Sequence, residues 1–258
     1  MKLRPEDCLP EDVERATLIG RAWVPGDHPG PSPVIVRGTD VLDISDTSPT
    51  ISELLNTESI ENKIGDLNGT KIGVIDSLLE NSAWHSQDKK YPYLLAPVDL
   101  QAVKACGVTF AQSMLERVIE ERAKGDPSAA QGIRNDIQKV IGLDLESIIP
   151  GSSEAEQLKE VLIKKDMWSQ YLEVGIGPDA EVFTKAQPMS VMGIGAQIGI
   201  LEKSEWNNPE PEITLAVNAR GKILGATLGN DVNLRDIEGR SALLLGKAKD
   251  NNASAAIG

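Results

Sequence analysis

The stretch NPEPEITLAVNARGKILGATLGND, residues 208–231, decides the fold of the C-terminal part of this chain. Short apolar runs at 215–217 and 223–228, joined through the turn residues NARG, predict two antiparallel strands. Side chains two positions apart on a strand point to the same face. We therefore expect the carboxylates of Glu210 and Glu212 to converge.

Two readings of Glu210 and Glu212 stay open on this pattern alone. Neighbouring carboxylates repel unless a cation lies between them, which indicates a metal site. They are equally typical of an edge strand with solvated acids, protected by Pro211. Asp231 favours the metal site, because antiparallel pairing returns it to the end where Glu210 begins. Three carboxylates predict Mg²⁺, Mn²⁺ or Ca²⁺ rather than zinc.

Composition excludes several function classes. The chain has 258 residues and a formal net charge of -13, which argues against nucleic acid as a partner. The charged N-terminus lacks the apolar segment of a signal peptide, and no window is apolar enough for a transmembrane helix. Cys8 and Cys106 lack metal-ligand spacing and predict reduced thiols. We therefore expect a cytoplasmic protein without a membrane partner.

The organisation of the chain favours an α+β fold. Residues 1–95 are predicted to form a small N-terminal domain, with a hairpin from 34–36 and 41–44 after a loop rich in proline and glycine. Residues 96–258 are predicted to form a second domain in which helices precede a β-rich half. Its predicted strand is 100–106, and its predicted helices are 111–124, 128–141 and 153–166.

Other motifs point to ordinary turns. The GxGxxA pattern at 175–180 follows a plausible strand, but an extended segment, EVF, comes next where a dinucleotide-binding helix should begin. The Gly246-Lys247 pair lacks the rest of a phosphate-binding loop. His28 and His85, the two histidines, lie in polar stretches without a nucleophile partner.

The motifs PEPE at 209–212 and GNDVNLRDIEG at 229–239 closely resemble the fumarylacetoacetate hydrolase superfamily. The variant is most similar to the 2-keto-3-deoxy sugar acid (arabinonate and xylonate) dehydratases of that superfamily. The resemblance covers roughly residues 96–258. It implies a mixed β-roll or β-sandwich with inserted helices and a small N-terminal α/β region. It also implies that Glu210, Glu212 and Asp231 hold magnesium.

The resemblance implies further site residues. The segment GVTFAQSMLER at 107–117 resembles the strand-to-helix segment that lines the active site. A serine stands where hydrolases and decarboxylases of the superfamily place a catalytic histidine. The candidate catalytic residues are Ser113, Glu116 and Lys249, with Lys247 as the alternative lysine. The candidate substrate-binding residues are Thr109, Ser113, Arg117, Lys185 and Arg235.

The implied activity is that of a metal-dependent lyase. The metal would bind the carboxylate and 2-keto oxygen of a 2-keto-3-deoxy acid, a proton would leave C3 to Glu116 or Lys249, and the C4 hydroxyl would depart. The alternative enzyme is a hydrolase or decarboxylase of a β-diketo acid, against which the missing histidine counts.

The last residues carry a second alternative. Members of the superfamily continue past Gly258 into further strands, so this sequence resembles a shortened member. A non-catalytic, metal-binding fragment is therefore the alternative from another class. The resemblance also implies a homo-oligomer, a dimer or a tetramer.

Overall fold

The structure is a computed structural model, and it describes residues 2–107, 116, 119, 123, 126–141, 148–168 and 170–258. The chain divides into two compact units, which are described separately. The first comprises residues 1–104 and 184–258, and the second comprises residues 105–183. The predicted boundary at residue 95 stays a prediction.

The first unit begins with a five-stranded sheet in the order β4-β3-β2-β1-β5. Its strands are β1 Leu18–Val24, β2 Gly30–Arg37, β3 Asp40–Asp43, β4 Thr70–Val74 and β5 Tyr93–Leu95. Four short helices accompany them: α1 Pro5–Cys8, α2 Ile51–Asn56, α3 Ile60–Lys63 and α4 Ile75–Ser82, with a 3-10 turn at Ile64–Asp66.

The central strand β2 shows why this sheet is buried on both faces. Val34 and Ile35 are both completely buried, and they point to opposite faces because strand side chains alternate. Val34 packs in a cluster with Leu78 and Leu79 of α4. Ile35 packs in a second cluster with helix residues such as Leu54. A helix layer on each face therefore completes the core.

The predicted hairpin of β2 and β3 is confirmed, with Val34 opposite Asp43 and Val36 opposite Val41. The predicted loop before it is partly wrong. Pro31 and Pro33 lie inside β2, opposite Trp23 and Arg21 of β1. Both prolines lie in the part of β2 that pairs with β1 alone, because the pairing with β3 begins at Val34. A proline is tolerated at such a position because it has no N–H to donate to a second neighbour.

The remaining strands lie in the first unit or, for two of them, across its boundary with the second. These are β6 Val103–Cys106 and β7 Val182–Ala186, which pair at the change of unit, and β8 Asn207–Asn208, β9 Pro211–Val217, β10 Ile223–Asp231, β11 Asn233–Leu234 and β12 Ala255–Ile257. The sheets are β12-β10-β9 and β11-β8. Short helical turns follow at α8 Arg235–Glu238, Ala242–Leu244 (3-10) and α9 Leu245–Lys249.

The second unit is helical. Its described helices are α5 Pro127–Ile141, α6 Ser153–Lys164 and α7 Gln170–Ile176. Leu158, Leu162 and Leu172 are completely buried in its own core. Ser152 caps α6, since its hydroxyl accepts the Ala155 N–H at 3.1 Å.

Several other predictions can be compared with these elements. Helices near 128–141 and 153–166 are confirmed, and the predicted strand at 100–106 is shorter and begins at Val103. Residues before the GxGxxA pattern form α7 and not a strand. Most of the predicted helix 111–124 lies outside the described residues. No described helix is long and apolar enough to cross a membrane.

A buried carboxylate holds the start of α2. Asp99 is 4% exposed and accepts hydrogen bonds from the backbone N–H groups of Ile51 at 2.6 Å, Ser52 at 3.1 Å and Leu100 at 2.7 Å. Burial alone would raise the pKa of Asp99, but these hydrogen bonds outweigh it and hold the pKa below its ordinary value.

We expect Asp99→Ala to lower the free energy of unfolding by about 2 kcal/mol, because it leaves helix N–H groups of α2 without an acceptor. The stabilisation by ionised Asp99 is present above the ordinary aspartate pKa and is lost as the pH falls through the lower folded pKa. Urea denaturation of wild type and Asp99→Asn at neutral and strongly acidic pH measures this. Asp27→Asn, at an exposed position, is the control. If wild type and Asp99→Asn differ in free energy of unfolding by the same amount at acidic and at neutral pH, the assignment is wrong.

Candidate metal centre

Three carboxylates meet where the β9–β10 hairpin ends. Glu210 immediately precedes β9, Glu212 is its second residue, and Asp231 is the last residue of β10. Gly229 lies opposite Glu212 in the register, and the Asp231 N–H donates to the Glu210 carbonyl at 2.9 Å. One oxygen from each carboxylate lies within 4.8 Å of the others.

Two buried lysines balance part of the negative charge of this cluster. Lys249, at the end of α9, is 3% exposed and its ammonium group lies 2.9 Å from Asp231 Oδ2 and also contacts Glu210 Oε2. Lys185, on β7, is 2% exposed and its ammonium group lies 3.1 Å from Asp231 Oδ1. Three carboxylates and two ammonium groups leave one net negative charge.

The environment shifts the pKa of three of these groups. Burial, reinforced by the charge of Asp231, raises the pKa of Glu212. Burial lowers the pKa of Lys185, although Asp231 opposes the shift. Burial also acts to lower the pKa of Lys249, but its hydrogen bonds to Glu210 and Asp231 outweigh burial and raise it. The cluster therefore favours a positive charge next to its carboxylates.

A divalent cation fits this donor set. Carboxylate oxygens are the ligands that Mg²⁺ and Ca²⁺ prefer, and thiolate or imidazole ligands are not part of the described cluster. The buried Asp231 and the half-buried Glu210 and Glu212 would form one wall of the site. The remaining negative charge adds an electrostatic attraction for a cation.

The structure separates the two candidate lysines. Lys249 points to the carboxylates, whereas Lys247, two residues earlier on α9, is exposed. Lys185 is held by protein groups: it donates to the Val232 carbonyl at 2.9 Å, to the Lys249 carbonyl, and to Ser254 Oγ at 3.3 Å. These contacts give Lys185 a supporting position behind the cluster.

Arg235 and Glu116, two other candidate residues, each pair with a side chain of opposite charge. Arg235 donates to Glu238 Oε2 at 2.7 Å. In the second unit, Glu116 accepts two hydrogen bonds from Arg134 Nε at 2.9 Å and one from Nη2 at 2.6 Å. The remaining candidates lie outside the described residues: Thr109, Ser113 and Arg117. Their roles stay predictions.

Sequence reasoning missed three residues that support the cluster. Asn233 donates to Glu210 Oε1 at 2.9 Å, Asn230 Oδ1 accepts the Glu210 N–H at 3.0 Å, and Ser254 contacts Lys185. Asn230 and Asn233 lie within the motif GNDVNLRDIEG, close to Asp231 in the sequence. This proximity is the signal that could have identified them. Nothing local in the sequence marks Ser254.

The raised pKa of Glu212 predicts a stability effect. The folded state disfavours the ionised form of Glu212, so ionisation of this side chain lowers the stability of the fold. This loss of stability is absent below the ordinary glutamate pKa and fully present above the raised pKa of the folded state. We expect Glu212→Gln to raise the Tm of the protein in EDTA at neutral pH. Glu202→Gln, at an exposed site, controls for the change in net charge. A lower or unchanged Tm for Glu212→Gln contradicts the prediction.

Comparisons with known proteins agree with the predicted resemblance, although no family model matches the chain. A probable 2-keto-3-deoxyxylonate dehydratase of Haloferax volcanii is 39% identical over 104 residues, which cover 40% of this chain and 35% of that protein. A 2-dehydro-3-deoxy-D-arabinonate dehydratase of Saccharolobus solfataricus is 42% identical over 69 residues, or 27% of this chain and 23% of that protein. The matches thus span about a third or less of these relatives.

A solved structure shows the same fold over most of the chain. It is a 2-keto-3-deoxy-D-arabinonate dehydratase complexed with magnesium and 2,5-dioxopentanoate, 21% identical, with a TM-score of 0.57. The likeness covers 93% of this chain and 64% of that chain. The predicted α+β class is confirmed. By sequence and by fold, the chain resembles the 2-keto-3-deoxy sugar acid dehydratases, as its motifs predict.

Proposed function

We propose that this chain is a magnesium-dependent dehydratase of a 2-keto-3-deoxy sugar acid. The observation that carries the proposal is the cluster of Glu210, Glu212 and Asp231 with the buried ammonium group of Lys249 beside it. The dehydratase names of both curated relatives and the magnesium in the solved structure support it. We also propose a cytoplasmic location.

Glu210, Glu212 and Asp231 would hold the cation. Once bound, the cation supplies a Lewis acid that stabilises negative charge on the 2-keto oxygen of the substrate. Lys185 holds Asp231 from behind and fixes the backbone of Lys249 through its carbonyl. The reacting groups are thereby positioned before the substrate arrives.

We assign the proton transfer to Lys249. Its ammonium group donates a proton to the departing C4 hydroxyl, which leaves as water, and the amine that remains takes the proton from C3. The proton and hydroxyl balance without a further reactant. Glu116 is a weaker candidate because Arg134 already engages both of its oxygens. Ser113, Thr109, Arg117 and Arg235 stay proposed substrate-binding residues.

We further propose that the protein is a homo-oligomer built on the outer face of the β9–β10 hairpin. The large side chains of this face are aliphatic and 46–74% exposed. They are Ile213, Leu215, Val217, Ile223 and Leu228. The pairing places Val217 opposite Ile223 and Ile213 opposite Leu228, so the side chains form one continuous patch. Such patches mark interaction sites.

A second copy of this chain is the occupant that we propose for this face. The charged residues of β9 and β10 are Glu212 and Asp231, and both belong to the carboxylate cluster. The outer face is therefore an apolar, self-complementary surface, as an interface around a two-fold axis requires. Two such sheets would pack face to face, as in a β-sandwich.

Activity of the 258-residue protein on a 2-keto-3-deoxypentonate tests the function. We expect formation of the dehydrated product with Mg²⁺, its loss with EDTA and its return with Mg²⁺ or Mn²⁺. Lys249→Met should lower kcat by roughly 10²–10⁴-fold, the range of general acid–base catalysis. Lys247→Met, an exposed lysine of the same helix, should keep wild-type activity.

Four results would contradict this proposal. EDTA without effect excludes the metal role, and wild-type activity in Lys249→Met excludes the assigned proton transfer. A hydrolysed or decarboxylated product would show the alternative chemistry of the superfamily. Binding of Mg²⁺ without turnover of any 2-keto-3-deoxy acid would show a non-catalytic metal-binding protein.

Light scattering coupled to size exclusion tests the oligomer. We expect wild type to have two or four times the 27.7 kDa of one chain. The double variant Ile213→Lys and Leu228→Lys should be monomeric, because both lysines would have to be buried at the interface. Leu243→Lys, at a side chain 95% exposed, is the matched control. A monomeric wild type, or a double variant that stays assembled, refutes the interface.

A further inference from the structure

Asn233 is a completely buried asparagine beside the carboxylate cluster. It lies on β11, where its backbone pairs with Asn208 of β8, two residues before Glu210. Its side-chain amide nitrogen donates to Glu210 Oε1 at 2.9 Å and to Glu238 Oε2 at 2.7 Å. One neutral amide group therefore bridges two carboxylates.

The chemistry of an amide explains why this position suits an asparagine. Its nitrogen has two N–H donors, one for each carboxylate, and it adds no charge. An aspartate would bring a third negative charge, and an aliphatic side chain would leave both carboxylates without these donors. Arg235 donates to Glu238 at 2.7 Å and so holds the far side of the bridge.

The bridge determines which way Glu210 faces. Oε1 of Glu210 is bound by Asn233, and the opposite oxygen, Oε2, contacts Lys249. The Glu210 backbone is fixed as well, because its N–H donates to Asn230 and its carbonyl accepts from Asp231. Asn208 Nδ2 lies 3.5 Å from the same Oε1, so Asn233 makes the shorter of the two amide contacts that oppose rotation of the carboxylate.

We infer that Asn233 is a positioning residue for the metal centre, which orients Glu210 so that one oxygen faces Asp231 and Glu212. This inference rests on the proposed magnesium site and deepens it. Asn233 acts through Glu210 and through the bridge to Glu238. Mutation of a residue that hydrogen-bonds to a metal ligand typically lowers metal affinity by a factor of ten to a hundred.

The test is direct measurement of metal affinity by titration calorimetry with Mg²⁺, and by the electron paramagnetic resonance spectrum of bound Mn²⁺. We expect Asn233→Leu, which keeps the branching at Cγ and loses both donors, to weaken Mg²⁺ binding at least tenfold. Asn233→Thr keeps one hydroxyl donor and should recover part of this loss. Asn56→Leu, an exposed asparagine of α2, should bind like wild type.

The outcomes separate this inference from the proposed function. Wild type that binds no Mg²⁺ overturns the metal site and this inference together. Wild type that binds Mg²⁺ while Asn233→Leu binds it equally well overturns the role of Asn233 alone. If Asn233→Leu does not fold, wild-type affinity in a folded Asn233→Thr overturns it, and an intermediate affinity supports it.

Discussion

The attraction between two buried ammonium groups and a cluster of three carboxylates is the constraint on which this site depends. Asp231, Lys185 and Lys249 are each at most 5% exposed, and an unpaired charge at such positions is costly. Each is therefore placed against an opposite charge. Because the carboxylates outnumber the ammonium groups, the cluster retains a negative charge that a divalent cation can balance.

The fold brings these charges together from distant parts of the sequence. The β9–β10 hairpin supplies the carboxylates, β7 supplies Lys185 and α9 supplies Lys249. Short backbone pairings, such as Asn233 with Asn208 and Asp231 with Glu210, fix the ends of these elements. Hydrogen bonds from the surrounding protein then orient the side chains, which makes the geometry of the site a property of the whole unit.

The β9–β10 hairpin has one face that contributes to the ionic cluster and one that is aliphatic, because strand side chains alternate. One face carries Glu212 and, with Asp231 at the strand end, contributes to the ionic cluster. Ala216 and Leu224 pack against the core of the N-terminal sheet. The other face presents exposed aliphatic residues such as Ile213 and Leu228. A shift of one residue in the register would exchange these faces, so the pairing is under two constraints at once.

The sequence by itself determined the hairpins, most described helices of the second unit and the meeting of Glu210, Glu212 and Asp231, because alternation, turn residues and helical periodicity are local signals. It could not show that Pro31 and Pro33 enter a central strand, since that depends on partners elsewhere in the chain. The choice of Lys249 at the cluster was decided by tertiary structure, and so were the burial of Lys185 and the bridge made by Asn233. These depend on which distant groups compensate a buried charge, and no local pattern encodes that.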